Sequence, residues 1–128
     1  MTYYCAKTLD LPFETALAAT REALAQQGFG VITEIDVRQT MQSKIGQTFR
    51  PYTILGACNP KLAFEALQLE DKVGTMLPCN VVVQQRGDGV TEVAAIDPVA
   101  SMLAIENPDL KAKAGEVAAK LQAVIDSL

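Results

Sequence analysis

The dipeptide Asp88-Gly89 constrains this chain more than any other feature. It stands between two β-favouring runs, "NVVVQQ" and "TEVAAID". Asp-Gly at such a place signals a tight hairpin turn. Elsewhere strand-like and helix-like segments alternate, a pattern that by itself favours βαβ units and a parallel sheet. Parallel neighbours, however, need a long crossover and cannot be joined by two residues. The expectation is therefore an α+β, two-layer fold. Helices back one face of a mixed or mainly antiparallel five-stranded sheet, in the order β-α-β-α-β-α-β-β-α.

Helix starts carry a repeated mark. Asn59-Pro60, Asp97-Pro98 and Asn107-Pro108 each set a capping residue before a proline, whose fixed φ and missing N–H suit the first helical position. The first helix follows Asp10, read as its cap, and shows an apolar stripe of Phe13, Ala16, Leu17, Thr20, Ala23 and Leu24. Gly28 ends it, because glycine takes positive φ without a Cβ penalty. A short helix opens at Asp36, with Gln39 completing a capping-box pattern, and stops at Gly46. Strands are expected over residues 2–9, 29–36, 52–58, 80–85 and 91–97. In the second, alternation sets Phe29, Val31, Thr33 and Ile35 on one face. Residues 71–78 read as an irregular connector. The last helix, 108–128, carries Leu110, Ala114, Val117, Leu121, Val124 and Leu128 at 3–4 spacing. Such a seam packs on the chain's own sheet or on a second copy.

The 128 residues fit a single domain, 1–128, with 105–128 as its C-terminal helical segment. The net charge of −4 and the scatter of the eleven Lys and Arg residues argue against nucleic acid and anionic membrane surfaces as partners. No apolar run approaches a membrane span, and "MTYYCAKTLDLP" reads as a strand rather than a signal peptide. Three cysteines without an export signal point to a reducing cytoplasm. Histidine is absent, which removes His-dependent nucleophile systems and His-built zinc sites. No cofactor is expected, and an enzymatic role is disfavoured without being excluded.

The chemistry that remains gathers at two Cys-Asn units, Cys58-Asn59 and Cys79-Asn80, each after an apolar run. Free cysteines are often packed thiols, and Asn59 reads first as a helix cap. A thiol beside a helix N-terminus can also be activated, and two thiols that meet would suit Cu(I), with Met76 or Met102 as thioether donors, or a reversible disulfide. Arg50 and Tyr52 are candidates for the rim of such a pocket, against the plainer readings of a surface ion pair and a packed ring. Asp97 reads as a cap before a general base, and Glu34 with Asp36 as solvated carboxylates before an acid–base pair.

The segments "GFGVITEIDV", "PYTILGACNPKLAFEAL", "LPCNVVV" and "AAIDPVASM" occur in one order. Together they resemble the signatures of a widespread prokaryotic family known only as domain of unknown function number 302. The resemblance covers residues 28–102 and extends to the first strand and helix, with the last helix beyond it. It implies a curved antiparallel sheet backed by helices, and a homodimer. It brings no activity, substrate or cofactor.

The reading that follows is a small cytoplasmic binding or accessory domain, homodimeric, with a small-molecule pocket around Cys58, Asn59, Cys79 and Asn80 and with Arg50 and Tyr52 at its rim. One alternative is a thiol redox or Cu(I) protein using Cys58 and Cys79. Another is a structural dimerising protein whose last helix makes the contact.

Overall fold

The computed structural model describes residues 2–128. Five strands, β1 (Tyr4–Leu9), β2 (Gly30–Asp36), β3 (Tyr52–Cys58), β4 (Cys79–Gly87) and β5 (Val90–Ile96), form one open sheet in the order β1-β5-β4-β3-β2. Each neighbouring pair is antiparallel. The Asp88-Gly89 turn joins β4 to β5, with Gly89 at φ 66° and Gly87 opposite Val90. One hairpin decides the sheet's character, as its residues require.

Five helices complete the fold: α1 (Phe13–Gln26), α2 (Val37–Ile45), α3 (Pro60–Leu69), α4 (Pro98–Ser101) and α5 (Pro108–Asp126). Asp36, Asn59, Asp97 and Asn107 each cap the helix that follows, accepting from Gln39, Leu62, Val99, and Asp109 with Leu110 respectively. The first helix differs from expectation. Its N-cap is Pro12, with no side-chain cap, because Leu11 and Pro12 separate Asp10 from the first turn. Residues 71–78 are more ordered than a connector: Asp71–Met76 form a 3-10 helix, and the Leu77–Pro78 bond is cis.

Strand β2 corrects the simple alternation. Val31 stands opposite Ala57, but Thr33 stands opposite Gly56, so the register slips by one residue at Ile32. Val31 therefore faces the helices while Thr33 and Ile35 face the other side. A bulge moves every later side chain to the opposite face.

The main core lies between one sheet face and helices α1 and α5. Leu55, Val81, Val83 and Val93 meet Leu24, Leu121, Val124 and Ile125, all within 2% of full burial. A second cluster gathers Ala66, Val73, Met102, Leu110 and Ala114. Helix α5 thus belongs to both cores, and its seam is spent inside its own chain. Lys7 of β1 donates to the carbonyls of Asp126 and Leu128, a favourable place for a cation at a helix C-terminus. Among the described residues, no helix is long and apolar enough to cross a membrane.

Candidate functional site

Cys58 closes β3, and the next residue caps α3. Asn59 Oδ1 accepts from the Leu62 N–H at 3.2 Å. Cys79 opens β4 directly opposite Ala57, so it lies diagonally across the ladder from Cys58. The ends of these two strands, α3 and the first half of α5 line a half-open cavity of about 320 Å³. Cys58, Asn59 and Cys79 line it together. The space exists because small side chains stand where two helices and a sheet end converge: Ala57, Ala63, Ala66 and Ala114. Leu62, Leu77, Leu110 and Val117 are among the larger apolar side chains of its wall.

Burial pushes the Cys79 thiol up to about 11, and the charge of a Cys58 thiolate pushes in the same direction. Cys79 is therefore a neutral thiol at ordinary pH. All three cysteines are free. Cys5 lies in β1, packed against the main core, and its thiol is raised by burial and by the charges of Asp97 and Asp126.

Lys113 carries charge at this cavity. Its ammonium meets Glu65 of α3 at 2.7 Å and Glu116 at 3.7 Å. Close bonding to Lys113 holds Glu65 below the usual carboxylate range, and the same contact raises Lys113. Glu65 Oε2 is closed to solvent, with that ammonium as its counter-charge. The pair ties α3 to α5 across the cavity.

The other predicted residues stand elsewhere. Neighbours in a strand face opposite sides, so Asn80 points away from Cys79. Asn80 and Tyr52 line a hollow of about 350 Å³ on the face opposite the main core, beside Tyr3, Tyr4 and Val82. Arg50 is exposed, donates to Gln84 Oε1 at 3.0 Å and lies 4.4 Å over the Phe49 ring. Met102 lines the cavity; Met76 packs beside the second cluster. Glu34 pairs with Arg21 at 2.6 Å, and Asp36 is the cap of α2. Among the described residues, no three of His, Cys, Asp or Glu gather as a metal cluster. The sequence reading missed Lys113 and the alanines: a lysine on a helix reads as solvated, and alanines in a stripe read as close packing.

The family model described as "Domain of unknown function DUF302" matches residues 5–128. The chain belongs to that family. The match includes α5, so the last helix is part of the DUF302 domain and not an addition beyond it. A solved structure described as an uncharacterized conserved DUF302 protein from Bacillus stearothermophilus is similar at 28% identity and a TM-score of 0.90, covering 98% of each chain. No curated protein matches.

Proposed function

We propose that this DUF302 chain is a small binding domain that holds a neutral, largely apolar small molecule between α3 and α5. The observation that carries the reading is the cavity of about 320 Å³ walled by leucine, valine and alanine side chains. Ligand pockets of this kind span roughly 300–1,000 Å³, mostly apolar with a few polar groups. A titration with 2-ethylnaphthalene, followed by probe fluorescence, tests it; the chain contains no tryptophan to interfere. Ala63 lines the cavity and is half-buried, so Ala63→Leu extends into the void. The expected result is saturable binding that falls at least tenfold in Ala63→Leu without loss of thermal stability. Equal binding by both proteins, or none by either, overturns the reading.

The domain works as a homodimer in this account, joined through the sheet face opposite α1 and α5. Ile35, Ile54, Val82, Ala94 and Ala6 form one continuous cross-strand row on that face, and Tyr4 pairs with Ile96 beside it. The row is apolar where a solvated face would be polar, and it is bordered on the same face by Asn80, Gln84 and Glu92. Five strands about 4.8 Å apart, each about six residues long, present roughly 500 Å² in projection before side-chain relief is counted. One partner of a standard interface contributes about 800 Å². A second copy supplies a matching apolar row by symmetry.

A second reading has one observation in its favour. Cys58, Cys79 and Met102 line the same cavity, and two thiolates with a thioether suit Cu(I). Competition with a Cu(I) chelator, lost in Cys58→Ser and in Cys79→Ser, is its expected signature; failure of the native protein to compete removes it. A redox role would use the same pair as a reversible disulfide. Three free thiols also support a reducing, cytoplasmic setting.

A further inference from the structure

We infer that a second copy packs on the open sheet face with its two-fold axis along β4, so that Ile54 of each subunit meets Ala94 of the other and Glu92 of each meets Arg50 of the other. This rests on the homodimer reading and adds the axis and the contacts.

Size selects the axis. From β1 to β2 the central cross-strand row of that face runs Ala6, Ala94, Val82, Ile54, Ile35. Its small side chains stand on one side of β4 and its large ones on the other. A two-fold axis along β4 lays β5 over the partner's β3 and β1 over the partner's β2. Each alanine then meets an isoleucine, and Val82 meets its own copy. The neighbouring row is uneven in the opposite sense, with Tyr4 and Ile96 towards β1 and Gly56 and Thr33 towards β2. The same axis again sets large on small. An axis across the strands would keep every strand over its own copy. It would press Ile54 on Ile54 and leave Ala94 over Ala94, and crowding and voids both cost stability. Sheets packed face to face in the aligned manner keep their strands within about 30° of one another, as an axis along β4 does.

Charge selects the same axis. The third row of the face runs Thr8, Glu92, Gln84, Tyr52. Gln84 Nε2 donates to Glu92 Oε1 at 3.3 Å, towards β5. Gln84 Oε1 accepts from Arg50 at 3.0 Å and from Arg86 at 3.3 Å, so positive charge gathers at the other end of the amide. Among the described residues, Glu92, Arg50 and Arg86 make no ion pair within their own chain. The axis along β4 brings each Glu92 to the partner's Arg50, a self-complementary pattern of charge. An axis across the strands would set Glu92 on Ile96 and cover a carboxylate with an apolar side chain, which is costly.

The test exchanges charge between subunits. Glu92→Arg opposes arginine to Arg50 at both contacts, and Arg50→Glu opposes glutamate to Glu92 at both. In a one-to-one mixture of the two variants each contact joins opposite charges. The expected result, by sedimentation velocity on variants shown to be folded by circular dichroism, is association at least about tenfold tighter in the mixture than in either variant alone. Ala94→Ile and Ile54→Ala repeat the exchange with size in place of charge, and their mixture should again associate more tightly than either alone. Suppose the native protein is a dimer that Val82→Lys dissociates, and neither mixture gains over its components. That result overturns the axis and leaves the homodimer reading standing. A native protein that is monomeric at micromolar concentration, or a dimer that Val82→Lys leaves intact, overturns both and leaves the face to a different partner.

Discussion

Cys79 stands directly opposite Ala57 in the β3–β4 ladder, and Cys79 and Cys58, the residue next to Ala57 at the end of β3, both line one cavity. The two Cys-Asn units do not form one four-residue site. Cys58, Asn59 and Cys79 meet on the cavity side, and Asn80 turns to the opposite face.

The thiol environment predicts a pH response. Cys79 has an ordinary thiol pKa of 9.0 in the unfolded chain and about 11 when folded. Between these values the unfolded state binds fewer protons than the folded one, so stability falls as pH rises from about 9 to about 11, then levels off. The slope from this group is at most about 1.4 kcal/mol per pH unit. Urea unfolding should show a steeper fall in the native protein than in Cys79→Ala, where the raised Cys5 and Lys113 still contribute a fall of their own. Iodoacetamide at pH 8, followed by peptide mass mapping, should leave Cys79 unmodified until the protein unfolds.

Gly56 is required by the bulge in β2. That bulge turns Thr33 over Gly56, and a Cβ at residue 56 would collide with Thr33 Oγ1 and lie 2.7 Å from Pro78 Cγ. Gly56→Ala should cost at least about 2 kcal/mol, in the range of overpacking penalties. Gly115 makes the contrast. It lies exposed in α5 with open space where a Cβ would go, so Gly115→Ala should stabilise by about 0.5–1 kcal/mol. Paired urea denaturation curves check both signs.

Local signals made most of the fold legible. Asp36, Asn59, Asp97 and Asn107 cap helices because their partners lie two or three residues away, within reach of sequence pattern. Asp88-Gly89 was informative for the same reason. The bulge at Ile32 was not legible, since the one-residue slip arises from pairing with β3 and leaves no mark in β2 itself. The site was half legible. Cys58, Asn59 and Cys79 were found from their positions at strand ends. The cavity they line depends on how Ala63, Ala66 and Ala114 fail to fill the gap between two helices, a relation between distant segments.

Leu121 is fully buried against the sheet, so the α5 seam belongs to the monomer's core. Leu121→Ala should destabilise by about 2–5 kcal/mol. Leu121→Asp should unfold the chain and is unsuited to testing dimerisation. Urea denaturation with far-UV circular dichroism measures the first.

Val82 sits half-buried at the centre of the open face, between Ile54 and Ala94. In the homodimer account Val82→Lys places a charge at the interface centre and should give a folded monomer by light scattering coupled to size exclusion. A native protein that is already monomeric at micromolar concentration removes the dimer from the account.

The most direct measurement of the central claim is a methyl NMR titration of the native protein with 2-ethylnaphthalene. Leu62, Leu110 and Val117 line the cavity and should shift saturably together, while Ile54 and Val82 on the open face stay in place. Shifts confined to Ile54 and Val82, or no saturable shift at the cavity methyls, would contradict it.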